Sequence, residues 1–181
     1  MKKWAFVLLL WPLAVLAEDT RPLSAEVLWE LDRVGSPVIS PVGGHVVAPV
    51  TRYDTSDDSA ETRLYLFSAD GGTQRPLTAE GHSASSPVFS PNGDWLAFVS
   101  RRNDDEAGQI YLLPMNAPGE AKRLADVPTG ASSLRWVGEH IYFISRVYPG
   151  QDWEEMKETI QEDKDSHVSA HQWNALPYAM W

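Results

Sequence analysis

The chain has 181 residues, of which 43% are hydrophobic and 22% charged. That is globular composition, long enough for one domain with a sizeable core or for part of a larger one. A formal charge of -10 argues against nucleic acid and anionic membrane surfaces as partners, and the absence of Cys excludes disulfide staples, thiol catalysis and Cys-based metal centres.

In chain order, residues 1–17 come first and read as a secretory signal peptide. Lys2 and Lys3 form a short positive region, and Trp4 to Leu16 is uncharged and almost wholly apolar. The small residue Ala17 then precedes Glu18 and Asp19. The apolar run is shorter than the roughly 20 residues of a spanning helix. Cleavage is expected after Ala17, which leaves 13 basic against 25 acidic residues, a net charge of -12. The mature protein is expected in the periplasm or outside the cell, with no stable membrane anchor. Residues 18–34 form a lead-in.

From residue 35 the chain repeats itself. Ser36-Pro37-Val38-Ile39-Ser40-Pro41-Val42-Gly43 matches Ser86-Pro87-Val88-Phe89-Ser90-Pro91-Asn92-Gly93, 50 positions on. A shorter third copy starts near Ala131-Ser132-Ser133 and continues through Ile141-Tyr142-Phe143-Ile144-Ser145-Arg146. In the second copy a short strand (87–89) meets a turn at 90–93, where Pro presets φ and Asn-Gly tolerates φ > 0. The run Trp95-Leu96-Ala97-Phe98-Val99 is apolar on both faces, as in a sheet packed between two others. Strands at 109–113 and 121–124 complete it. The first copy supplies strands at 63–67 and 74–78. Four short antiparallel strands per repeat of about 40–50 residues is the pattern of a propeller blade. The expected fold is therefore all-β, a partial β-propeller of about two and a half four-stranded blades. The partial propeller spans 35–181: blade 1 about 35–80, blade 2 about 84–128, and the start of a third about 131–181. Trp153, Met156 and Ile160 give one apolar stripe, which predicts a helical insertion over 152–164. The chain is expected to be a piece of a larger ring.

The Ser-Pro-x-Gly turn, the following apolar strand, and the Ile110-Tyr111-Leu112 and Arg123-Leu124 strands are shared by TolB-like proteins and the prolyl oligopeptidase family. The lead-in Leu28-Trp29-Glu30-Leu31-Asp32-Arg33-Val34-Gly35 and the helical insertion resemble the acylaminoacyl-peptidase-like and dipeptidyl aminopeptidase branch of that family of serine peptidases. A propeller that begins almost directly after the signal peptide speaks against TolB itself. The resemblance covers residues 26–181. It implies that the propeller restricts which peptides reach a Ser–Asp–His triad in an α/β-hydrolase domain that is not in this chain. The partner implied is a peptide substrate bound through that domain.

No catalytic, cofactor or metal residue can be assigned, and five constellations carry weaker signals. Gly81-His82-Ser83-Ala84-Ser85 approaches a nucleophile elbow but has Ser where the last Gly belongs, and no helix follows; an inter-blade loop is the plainer reading. His167 and His171 have the spacing of two ligands on one helix face, without the Glu of a zincin. Glu154 and Glu155 could hold a substrate amine, as dipeptidyl peptidases do with a Glu pair, or form a solvated helix face. Asp54, Asp57, Asp58 and Glu61 carry the charge of a calcium loop in no known loop spacing. Arg101, Arg102 and Arg146 end equivalent strands and could meet carboxylates or pair with neighbouring blades. The function expected is that of a substrate-gating propeller segment of an exported serine peptidase, inactive by itself and needing no cofactor. The alternative is a non-catalytic TolB-like propeller module for protein–protein binding.

Overall fold

The computed structural model describes residues 22–102 and 104–166. His167 and His171 lie outside them. A short helix α1 (Ala25–Glu30) opens the lead-in, capped by Ser24, whose hydroxyl accepts the Val27 N–H at 3.3 Å. Among the described residues no helix is long and apolar enough to cross a membrane.

The first sheet contains β1 (Arg33–Val34), β2 (Val38–Ile39), β3 (His45–Asp54), β4 (Ser59–Ser68) and β5 (Gln74–Pro76). Both β1 and β2 pair with β3, so they are two halves of one inner strand and the sheet is a four-stranded blade. The second blade is regular: β6 (Ala84–Phe89), β7 (Trp95–Ser100), β8 (Gln109–Pro114) and β9 (Lys122–Arg123), paired in chain order. A third sheet consists of β10 (Ser132–Val137) and β11 (His140–Ile144), followed by α2 (Trp153–Asp165). All pairings are antiparallel. The partial propeller expected from the repeats is what the chain forms.

The strands differ in length from their expected spans for local reasons. The β3–β4 hairpin runs ten residues on each side, held beyond the sheet body by pairs such as Thr51 and Thr62, whose hydroxyls lie 2.8 Å apart. β5 ends at Pro76 on the outer edge, and one further backbone bond follows it, from the Leu77 N–H to the Leu64 carbonyl at 2.7 Å. The buried Thr78 takes over with its hydroxyl, which accepts the Leu64 N–H at 3.0 Å.

The repeated turn explains its own residues. Ser90 is buried; its N–H donates to the Trp95 carbonyl at 2.9 Å and its Oγ accepts the Trp95 N–H at 3.0 Å. Ser40 is buried in the equivalent turn, and its N–H donates to the His45 carbonyl at 2.9 Å. Gly93 adopts φ 76°, and any side chain there would also press on Val42 of the first blade.

The apolar run of β7 faces two cores. Leu96 and Phe98 point to one side, where they pack with Tyr111 and Leu113 against Val47, Leu64 and Leu66 of the first blade. Ala97 and Val99 point to the other, with Ile110, Val127 and Leu134, and the third sheet adds Trp136, Ile141 and Phe143. A strand sandwiched between two sheets has no solvent face, which is why the alternation expected of a surface strand is missing.

A finer repeat appears only in the backbone. In each inner strand the register slips by one residue: between Val34 and Val38, between Ser85 and Val88, and between Ser132 and Arg135. Each slip is a β-bulge. At its centre Ser86 has φ 51° and Ser133 φ 52°, the left-handed region that costs a non-Gly residue about 1–2 kcal/mol. Substituting Ser86→Gly is expected to raise stability by up to about 1 kcal/mol, while Ser86→Val lowers it by about 2 kcal/mol. Thermal melting of both variants checks this; equal melting temperatures would mean that the bulge is not strained.

Candidate functional site

The three inner-strand bulges meet around a cleft of about 480 Å³, lined by Ser36, Val38, Ser86, Val88, Ser133 and Arg135 among others. Ser36, Ser86 and Ser133 occupy matching bulge positions. A bulge kinks the strand and re-aims side chains, and such kinks recur beside binding sites. The cleft wall thus combines small hydroxyls, branched apolar side chains and one guanidinium, chemistry that suits an extended chain with both polar and apolar groups.

A second polar centre lies at the far end of β7. Asp105 has only 4% of its side chain exposed, and Arg123 Nη1 reaches its Oδ1 at 2.9 Å. Its Oδ2 accepts the Tyr111 hydroxyl at 2.7 Å and the Arg102 N–H at 3.1 Å. Burial, followed by the bond to Asp105, pushes the Tyr111 phenol above its ordinary range. Arg102 lies across the Tyr111 ring at 4.6 Å and the Phe98 ring at 5.3 Å, and burial lowers its pKa. Arg123 also pairs with Asp126, which Lys157 of α2 approaches at 3.5 Å. The Trp153 indole donates to the Asp126 carbonyl at 2.9 Å, so α2 is tied to the second blade.

The residues singled out from the sequence fall as follows. Ser83 Oγ accepts the Thr62 N–H at 3.1 Å and the Ser83 carbonyl accepts the Ser100 hydroxyl at 2.9 Å, so Ser83 ties the blades together. Glu154 and Glu155 serve the first turn of α2. Asp152 Oδ1 accepts the N–H groups of both, at 2.9 and 3.0 Å, and Glu155 Oε2 accepts the Asp152 N–H at 2.9 Å. This reciprocal cap is legible as Asp152-x-x-Glu155. Glu154 turns to Lys157 at 3.1 Å and raises its pKa.

At the β3–β4 tip Asp54 Oδ1 accepts the Ser56 hydroxyl and N–H at 2.6 and 2.8 Å, which hold its carboxyl below the usual range. Asp57 Oδ1 accepts the Ser59 N–H at 3.1 Å, Asp58 turns the chain at φ 55°, and Glu61 Oε1 accepts the Gly81 N–H at 2.6 Å. Among the described residues no three His, Asp or Glu side chains gather as a metal site. Arg101 Nε donates to the Asp105 carbonyl oxygen at 2.8 Å, and the Arg146 carbonyl accepts the Thr129 hydroxyl at 2.6 Å. The Asp105 centre escaped the sequence reading because Asp105, Tyr111 and Arg123 sit on different segments with no motif spacing. The bulge serines were visible as aligned Ser36, Ser86 and Ser133, but nothing in one dimension says that they share a cleft.

No protein-family model matches the chain. It is 27% identical over 142 residues to YuxL of Bacillus subtilis, described as an uncharacterized peptidase, covering 77% of this chain and 21% of that protein. It is 30% identical over 108 residues to dipeptidyl-peptidase 5 of Porphyromonas endodontalis, covering 60% of this chain and 15% of that one. Among solved structures, the isopeptidase AtxE2 in its ligand-free form superposes with a TM-score of 0.54 at 20% identity, over 81% of this chain and 26% of that one. The chain therefore spans about a fifth or less of the length of these curated relatives. In fold it is a partial β-propeller, and in sequence it is related to peptidases, as its resemblance to the propeller part of the prolyl oligopeptidase family implies.

Proposed function

We propose that this chain is the substrate-facing propeller segment of an exported serine peptidase, and that it admits and positions peptides for a hydrolase domain outside it. The observation that carries this reading is the inner-strand cleft. Three equivalent bulges converge there on a cavity wall of hydroxyl, aliphatic and guanidinium groups. The peptidase relatives support it. In such an arrangement the propeller supplies selection and orientation, and the bond-breaking groups come from the other domain. Export is part of the proposal and rests on the residues 1–17 alone.

The test has two arms. The chain alone is expected to release no product from chromogenic peptide esters; turnover that survives purification and is abolished by a serine-directed inhibitor would overturn the division of labour. When the open reading frame containing this chain is expressed in full, Ser86→Trp is expected to lower kcat/KM for long peptides at least ten-fold. It should leave a single-residue ester substrate nearly unaffected, because only long peptides must pass the inner-strand cleft. An equal loss for both substrates, or none for either, would count against gating. N-terminal sequencing of the secreted product is expected to begin at Glu18.

A further inference from the structure

A second cleft, of about 440 Å³, opens at the outer-strand end of the first two blades. The segment after β5 (Leu77, Thr78, Ala79), His82, β8 and the β8–β9 loop enclose it. Its size is that of a small-ligand site. Leu77, Leu113 and Ala121 give it apolar walls, and Arg102 lines it as well.

Arg102 differs from cations that line two of the other clefts. Those are neutralised: Arg52 by Asp32 at 2.8 Å, Arg123 by Asp105 and Asp126, Lys157 by Glu154, and Lys164 by Glu106. Among the described residues no carboxylate stands within ion-pair distance of the Arg102 guanidinium. Its Nε donates to the neutral Ser100 hydroxyl at 3.2 Å. The nearby Asp105 carboxylate is taken up by Tyr111, Arg123 and the Arg102 backbone N–H. The guanidinium plane is held from below by the Phe98 and Tyr111 rings. A half-buried cation fixed over two rings, with donors left over and apolar walls on either side, is preorganised for a planar anion. Loss of water around Arg102 makes an incoming opposite charge worth more than it would be at the surface. Glu120, an exposed lining residue, opposes negative charge in proportion to its amount and so favours a singly charged ligand over a multiply charged one.

We propose that this cleft binds an apolar carboxylate, with Arg102 clamping the carboxylate and Leu77 and Leu113 receiving the aliphatic or aromatic part. The site lies away from the inner-strand cleft and stands independently of the gating role proposed above.

The experiment is calorimetric titration of the full chain with N-acetyl-Leu-Phe, its C-terminal amide, and hexanoate. The free acid is expected to bind at least ten-fold more tightly than the amide. Arg102→Gln is expected to abolish that preference while near-UV circular dichroism remains native. Binding of hexanoate as well would identify simple apolar acids as ligands; binding of the peptide acid alone would identify a peptide C-terminus. Equal affinity for acid and amide, or no binding of either acid, overturns the proposal. That comparison uses the unaltered protein and so does not depend on the variant folding.

Discussion

Phe98→Ala is expected to cost about 3–5 kcal/mol of folding stability, the range for emptying an aromatic site in a core. Phe98 is 0% exposed, stacks on Tyr111 with ring centroids 6.1 Å apart, and contributes to the core that joins the first two blades. The neighbouring strands are locked by their own ladders and cannot collapse into the space. Removing the ring also withdraws one of the two faces that support Arg102. Since a domain of this size has only about 5–15 kcal/mol in total, the variant should sit near the edge of folding. Urea unfolding followed by tryptophan fluorescence measures the loss. Trp95→Ala, on the same strand but 42% exposed, is the internal control and should cost much less. If the two cost the same, the blades are not held together through Phe98.

Asp105→Ala is expected to cost about 3 kcal/mol, because it leaves the buried Tyr111 hydroxyl and the Arg102 N–H without their acceptor and leaves Arg123 with Asp126 alone. The pairing itself, once its desolvation is counted, contributes far less than its removal takes away. A double-mutant cycle with Tyr111→Phe separates the two: a coupling of about 1 kcal/mol or more is expected. Additive losses would show that Asp105 matters through Arg123 and the Arg102 N–H rather than through Tyr111. The same contact has an alkaline signature. Burial, and then the Asp105 carboxylate, keep the Tyr111 phenol protonated, so its folded pKa is above its unfolded value. Its contribution is complete below the ordinary tyrosine value of about 10 and is lost as pH rises through the raised one. Tyr111→Phe should therefore flatten the fall in stability above about pH 10, measured by chemical unfolding across that range.

Much of the architecture was legible before any coordinates. The 50-residue repeat, the Ser-Pro-x-Gly turns and the two-faced apolar run of β7 each reflect local physics. Turn chemistry is set by Gly and Pro within four residues, and a strand buried on both faces must be apolar throughout. The α2 helix was equally plain, and its Asp152-x-x-Glu155 cap is a local pattern of the same kind. The early strand half β1 was not legible, since two residues beside a bulge carry no periodicity.

The sequence by itself thus determined the blade repeat, the turns, the helix and the kinship with peptidases, because each depends on residues close together in the chain or on similarity along it. Only the tertiary structure decided the rest. It placed Ser36, Ser86 and Ser133 around one cleft, joined Asp105 to Tyr111 and Arg123, and set the Arg102 guanidinium over two rings with no ion-pair partner among the described residues. Those relations depend on register slips and on blade-to-blade packing. They arise between residues tens of positions apart, and one dimension holds no record of that distance.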